Sequence, residues 1–427
     1  MVKKIKDILS VDIFKVFSLT AVSTLVRMLT GLISVKVVAV LIGPSGIALL
    51  GQLNNFASIA MILASGGINT GITKYIAEFK DDDFEVKKLL SSALKITIYC
   101  SLACGLLMVL FSGYLSYKVM LSSAYRYVFV IFGLTIILYA LNNLIASILN
   151  GYKEFKLFVL VSIVGSIGGL IFTLLFVYFL GLKGALISAV TFQSAMFFIS
   201  LFMIRKLPWV KKDYYKYELD KISRNKYFKY SLMTLVTAAT APVAQLLLRG
   251  HVIANISTIE AGWWEAMNRV SNMYLLVITT SFSVYYLPRL SELKQDREIK
   301  DEIIKAYKII VPTLAIGFTI LYFARFLTIK ILFSAEFLNM EKLFVWQLLG
   351  DFFKICSWLL AYLMIAKTMT KTFIFTEVFF TAFYLMAAYF VMSFNGVVGI
   401  TQAYAINYFF YFVVMVVLFR KILLLKG

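Results

Sequence analysis

The sequence predicts an all-α polytopic membrane protein, with twelve transmembrane helices in two six-helix lobes. Three observations predict it. The 427-residue chain is 61% hydrophobic and only 15% charged, with a mean hydropathy of +0.87; a soluble chain carries about a quarter charged residues. The apolar residues gather into twelve runs, each near the ~20 residues that cross a ~30 Å hydrocarbon layer as a helix. The 42 Lys and Arg divide unevenly around these runs, with 30 on one side, 6 on the other and 6 inside them.

The N-terminal stretch MVKKIKDILSVDIFK is basic, and the run after it is too long for a signal-peptide core and lacks a small-residue cleavage site. It is read as a retained first span, 14–42. The remaining spans are 53–79, 88–115, 124–150, 156–180, 184–205, 227–254, 264–290, 303–327, 342–366, 372–393 and 397–419. Barrel strands need only ~10 alternating residues, so runs of this length are helices. The longest polar stretch, RKLPWVKKDYYKYELDKISRNK, covers 205–226 and divides the spans six and six. The predicted organisation is an N-terminal lobe over 1–204, a cytoplasmic linker over 205–226 and a C-terminal lobe over 227–427.

The basic majority lies on the side that holds both termini, which places them in the cytoplasm. The formal charge of +20 is thereby a topology signal, and no nucleic-acid partner is expected. A shift of 214 residues aligns Asn54 with Asn268, Glu78 with Glu292 and Lys80 with Lys294. With six spans in each half, the halves have the same orientation and form a parallel repeat, an arrangement that places a central cavity between two lobes.

Several function classes are excluded or disfavoured. No predicted extramembrane segment is long enough for a folded soluble domain, and no G-x-x-x-x-G-K-[ST] loop is present, so the chain does not hydrolyse ATP. A single histidine, His251, excludes a multi-histidine metal site, and Cys100, Cys104 and Cys356 lie within apolar runs with no disulfide or closed metal pattern. No metal and no cofactor are expected. An enzyme acting outside the membrane would need a large outer loop, and the longest here is short, so the chain is not read as an enzyme.

The residues that carry chemistry are charges inside the spans, because a charge at mid-bilayer costs ~2.5 kcal/mol or more unless it faces water or a partner. They are Arg27, Lys36, Lys95, Arg249, Arg269 and Lys354 against Asp351 and Glu377, with Glu265 at a span edge. Glu265 and Arg269 are i,i+4 and Asp351 and Lys354 are i,i+3, so each pair shares a helix face and can neutralise itself. The excess is cationic and suits an anionic substrate. Arg27 and Lys36 are nine residues apart, about 900° at ~100° per residue, so they point to opposite faces. Lys36 can snorkel to the outer interface. Arg27, near the middle of span 1, either faces the cavity or pairs with Asp351.

Pro242 interrupts span 7, removing one backbone hydrogen bond. Thr234, Thr237 and Thr240 are placed to re-satisfy freed carbonyls. The kink is either structural or a bending point between the lobes. Small-residue patches, GSIGG (165–169) and SGGINTG (65–71), read as close helix packing. Trp263 and Trp264 read as an interface belt, whereas Trp346 and Trp358 are candidates for a sugar-facing surface.

The stretches STLVRMLTGLISVKVVAVLIGPSGIALLGQ, GITKYIAEF, SFSVYYLPRLSEL, LFVWQLLGDFFKICSWLLAYLMIAK and TQAYAINYFFYF resemble the Wzx-type flippases for undecaprenyl-pyrophosphate-linked oligosaccharides. These include the O-antigen translocases and the lipid III flippase of enterobacterial common antigen, in the multidrug/oligosaccharidyl-lipid/polysaccharide exporter superfamily. The resemblance implies a MATE-like fold in the bacterial inner membrane. It implies movement of the lipid-linked glycan from the cytoplasmic to the periplasmic leaflet, with Arg27, Asp351 and Lys354 lining the cavity. The lipid III branch tends to carry lysine where this chain has Arg27, and a guanidinium can grip pyrophosphate bidentately where an ammonium cannot.

The resulting expectation is a substrate site of Arg27, Arg249, Lys354 and Lys36, with Asp351 and Glu377 as charge partners or as coupling groups for H⁺ or Na⁺, and Pro242 as hinge. The expected partners are the glycolipid, the bilayer and other polysaccharide-assembly membrane proteins. A cation-coupled multidrug exporter of the same superfamily is the alternative. It calls for an acidic cavity, against the cationic excess.

Overall fold

The computed structural model describes residues 2–79, 81–217 and 221–424, with side chains described outside 2–20, 221–237 and 284. Residues 218–220 of the linker and Lys80 thus lie outside the described residues, and Thr234 and Thr237 outside the described side chains. Among the described residues every regular element is helical.

α1 (Val2–Ala64) is two rods joined at Gly43 (φ 65°, ψ −174°), with Pro44 opening the second rod. Positive φ with extended ψ is a backbone region open essentially to glycine alone, and proline supplies a pre-set φ for the next first turn. α2 (Asn69–Phe79) is followed by α3 (Asp83–Leu110), whose N-terminal amides at Phe84 and Glu85 are capped by Asp82. α4 (Ser112–Met120) and α5 (Arg126–Gly151) lead to α6 (Phe155–Ile204), again two rods, joined at Gly181 (φ 55°, ψ −132°).

α7 (Lys221–Asn255) runs as one helix through Pro242. α8 (Thr258–Ser281) continues through a π-turn over Phe282–Tyr286 into α9 (Leu287–Glu292), where Pro288 sits in the first turn. A wider turn just before a residue without an N–H is a common accommodation. α10 (Asp296–Phe323), α11 (Arg325–Leu332) and α12 (Glu341–Ala366) precede α13 (Thr370–Leu418), two rods joined at Gly396 (φ 56°, ψ −142°), and α14 (Arg420–Leu423).

Among the described residues seven helices are long and apolar enough to cross a membrane, and α1, α6 and α13 are three of them. The gaps read from the sequence at 181–183 and 394–396 hold no loop. The helix turns a corner on one glycine instead. The corners share a pattern, because Gly181 and Gly184 and then Gly396 and Gly399 are each three apart. At the second glycine of each, a Cβ would run into the backbone of the preceding rod, at Phe176 and Val391 respectively.

Packing groups the chain into two compact units, Met1–Ile42 with Gln52–Val243, and Gly43–Gly51 with Ala244–Gly427. In the first, Ile72, Ile76, Leu90, Ile148 and Leu149 form a core to which Trp209 of the polar stretch belongs. Residues 205–217 of that stretch pack back onto this unit. Trp209 stacks on Tyr152 at 6.2 Å, the Tyr214 hydroxyl donates to Asp83 at 2.7 Å, and Ser91 and Lys95 donate to the Tyr217 carbonyl at 2.5 and 2.9 Å. Lys95, an unpartnered interior cation by sequence, therefore spends its charge on this strap.

In the second unit α12 is the central helix. Ile355, Leu359, Leu360 and Leu363 are buried against Tyr286, Ile303 and Met415. The segment 43–51 packs on α8 where glycines permit close approach. A Cβ on Gly262 would overlap the Pro44 backbone, and one on Gly51 would overlap the Glu265 side chain.

Candidate functional site

Two polar clusters lie inside the second unit, both built on helices that are otherwise apolar. The first surrounds Asp351, which is fully buried near the middle of α12. Its Oδ2 accepts from the hydroxyls of Ser271 (2.6 Å) and Tyr274 (2.5 Å) on α8 and from the amide of Gln347 (3.2 Å), one turn earlier on α12. Its Oδ1 accepts from the Tyr404 hydroxyl of α13 at 2.8 Å. A buried carboxylate is tolerable only when its lone pairs are met by donors in this way.

Lys354 sits on the same face of α12. The i,i+3 spacing predicts a direct pair with Asp351. The structure instead inserts a phenol, with Lys354 Nζ donating to the Tyr404 hydroxyl at 3.0 Å. Among the described residues Lys354 has no carboxylate at ion-pair distance, although Asp351 and Glu377 are both close enough to act on it electrostatically. Its ammonium lies 5.2, 5.4 and 5.1 Å from the ring centres of Trp358, Tyr404 and Tyr408, a cation–π arrangement. Lys354 and Glu377 are partly exposed.

The second cluster joins Arg249, Glu265 and Arg269. Arg249 Nη2 meets Glu265 Oε2 at 2.5 Å, and Arg269 Nε meets Oε1 at 3.0 Å. Two guanidinium groups thus share one carboxylate. Arg249 has no accessible surface, its guanidinium lies over Trp264 (5.2 Å), and its Nε and Nη1 lack hydrogen-bond partners. By sequence Arg249 had no acidic partner in its own helix. Across to α8 it has one, and in this conformation it presents no atom to a substrate. Trp264, read as an interface residue, is buried beneath it.

In the first unit Arg27 is exposed on α1 and shares a face with Ser23 and Ser34, while Leu25, Leu29 and Ile33 form an exposed apolar stripe on the other side. Lys36 falls in line with that stripe and is partly buried. Both faces of this stretch of α1 are therefore exposed in part, and it is the helical phase that sets Arg27 and Lys36 on opposite sides of the rod. Pro242 lies one residue before the division between the units at Val243 and Ala244.

The sequence pointed to Asp351 and Lys354 and missed Ser271, Tyr274, Gln347 and Tyr404. One signal was present: Gln347 is four residues before Asp351, on its face. Tyr404 had none, because only the close approach of α13 at Gly350 brings it in. There a Cβ would run into the Tyr404 ring. Among the described residues no three His, Cys, Asp or Glu side chains gather as a metal site.

Comparison with known proteins gives the family and the fold. The chain matches the family described as polysaccharide biosynthesis protein over residues 13–294. It is 30% identical over 393 residues to the lipid III flippase of Escherichia coli (strain K12), covering 92% of this chain and 94% of that protein. Among solved structures it resembles an inward-facing multidrug resistance MATE family transporter of the MOP superfamily, with TM-score 0.77 and 13% identity over 95% of this chain and 96% of the other. It also resembles the lipid II flippase MurJ in an inward closed conformation, with TM-score 0.73 and 16% identity over 96% and 90%. The two structures establish the fold, helical throughout the described residues and shared with MATE and MurJ structures, and the apolar helices make the chain a multi-pass membrane protein. With two thirds of its length inside the family match and a 30% relative spanning nearly all of it, the chain belongs to the polysaccharide biosynthesis protein family.

Proposed function

We propose that the protein is a flippase that carries an undecaprenyl-pyrophosphate-linked oligosaccharide, of the lipid III or O-antigen type, from the cytoplasmic to the periplasmic leaflet by alternating access. The observation that carries this reading is the 30% identity to a lipid III flippase along 92% of the chain. The six interior cations against three interior acids support it independently. A pyrophosphate entering a membrane interior needs cationic donors to replace its water. Arg27 and Lys354 are the interior cations best placed to supply them, since Arg249 is enclosed with Glu265 and Lys36 aligns with an apolar stripe. Asp351, or the partly exposed Glu377, is the group proposed to couple transport to H⁺ or Na⁺.

The proposed setting is the bacterial inner membrane, with both termini cytoplasmic, lobes over 1–204 and 227–427 joined by the linker 205–226, and bending at Pro242. Other polysaccharide-assembly membrane proteins are proposed partners. Transport here is binding and release, without bond chemistry by the chain.

The test is complementation of a strain that lacks its own lipid III flippase. The wild-type gene is expected to restore glycan export. Arg27→Lys is expected to retain export and Arg27→Ala to lose it at equal expression. Full export with Arg27→Ala sinks the role of Arg27. Failure of the wild-type gene in both lipid III and O-antigen strains sinks the substrate class.

A further inference from the structure

We propose that Tyr404 is a positioning residue for Lys354, holding its ammonium out of a contact ion pair with Asp351 and so keeping it available to the phosphate of an anionic lipid. The last clause rests on the flippase reading. The positioning itself does not.

Asp351 and Lys354 stand three residues apart on one helix face, where an acid and a base ordinarily meet. Here the Tyr404 hydroxyl lies between them, accepting from Lys354 Nζ at 3.0 Å and donating to Asp351 Oδ1 at 2.8 Å. The other oxygen of Asp351 is occupied by Ser271, Tyr274 and Gln347. The phenol is held in place because its ring fills the gap left by Gly350, where a Cβ would collide with it.

The result is a division of labour by depth. Asp351 has no accessible surface, while Lys354 is partly exposed. An ammonium carries three donors, and among the described residues one of them is used, on Tyr404. The rings of Trp358, Tyr404 and Tyr408 steady the cation without neutralising it. Directly paired with Asp351 it would be a poor anion ligand. Behind a phenol it keeps two donors that no carboxylate occupies.

The test uses the full chain in lipid nanodiscs with Tyr404→Phe, which keeps the ring against Gly350 and removes the bridge. Two quantities are read: the rate at which an acetylating succinimide ester modifies Lys354, followed by peptide mass spectrometry, and equilibrium binding of undecaprenyl pyrophosphate. Both are expected to fall about tenfold, the weight of one hydrogen bond to a charged group, with the melting temperature unchanged. Adding Asp351→Asn to Tyr404→Phe is expected to restore labelling, since the competing carboxylate is gone. Unchanged labelling in Tyr404→Phe, or labelling that stays low in the double variant, overturns the proposal. Reduced labelling with unchanged binding upholds the positioning role and overturns the assignment of Lys354 to the phosphate. Loss of complementation by the wild type, as tested above, strikes the flippase reading and leaves the labelling result standing.

Discussion

Gly184 and Gly399 occupy the same place in two separate helical corners. Each follows a positive-φ glycine by three residues, and a Cβ on either would meet the backbone eight positions earlier, at Phe176 or Val391. The contact is backbone against backbone, so no side chain can rotate away to relieve it. Gly184→Ala and Gly399→Ala are each expected to destabilise the protein by about 1–3 kcal/mol, the usual range for overpacking. Gly113→Ala, at a glycine with open space around it, is the control. Thermal unfolding in detergent, followed by tryptophan fluorescence, checks the difference.

Glu265 carries two arginines, one of them sealed from solvent. Glu265→Gln is expected to lower stability by about 3–5 kcal/mol, because Arg249 is left as an uncompensated buried charge. Arg249→Met added to Glu265→Gln is expected to recover most of that loss. If the double variant melts no higher than the single one, the buried arginine is not the source of the instability.

Arg27 and Lys36 sit on opposite faces of α1, one exposed beside Ser23 and Ser34, the other in line with Leu25, Leu29 and Ile33. A water-soluble maleimide is expected to label Arg27→Cys several-fold faster than Lys36→Cys, since maleimide reaction needs both water and thiolate. Equal rates would mean that both positions see the same medium.

The strap after α6 carries a titratable group on its packed side. Tyr215 is packed with Leu94, Leu141, Trp209 and Val210, and burial pushes its phenol from the usual 10 up to about 12. An acid whose folded value is raised supports the fold fully below its unfolded value and loses that support as pH rises. Release of the strap is therefore expected between about pH 10 and 12. Cleavage at Lys211 and Lys212 by a protease tolerant of alkali reports it; Tyr215→Phe is expected to move the onset of release to higher pH, and adding Tyr214→Phe is the control for the phenol that donates to Asp83.

The hydrophobic runs made most of the helices legible, because span length and hydropathy are properties of a segment alone, but the run read as one span over 53–79 is broken: α1 ends at Ala64, the chain turns at Gly66 and Gly67, and α2 begins at Asn69. Helical phase likewise separated Arg27 from Lys36 without any knowledge of neighbours. What stayed hidden depends on which helix approaches which. Arg249 finds Glu265 sixteen residues on, Lys95 finds a backbone carbonyl beyond residue 200, and Tyr404 reaches Asp351 across the notch at Gly350. The corners at Gly181 and Gly396 were visible as gaps between runs. Their lack of a loop was not, since a glycine's φ leaves no trace in composition.

Those corners also bear on how the chain enters the bilayer. A hairpin with a long polar turn must drag that turn's hydration through hydrocarbon. α6 and α13 turn on a single residue, so each helical hairpin brings few peptide groups that its own rods do not already satisfy. Each is suited to partition as one preformed wedge, with Lys183 the one charged residue that either helix itself carries close to its bend.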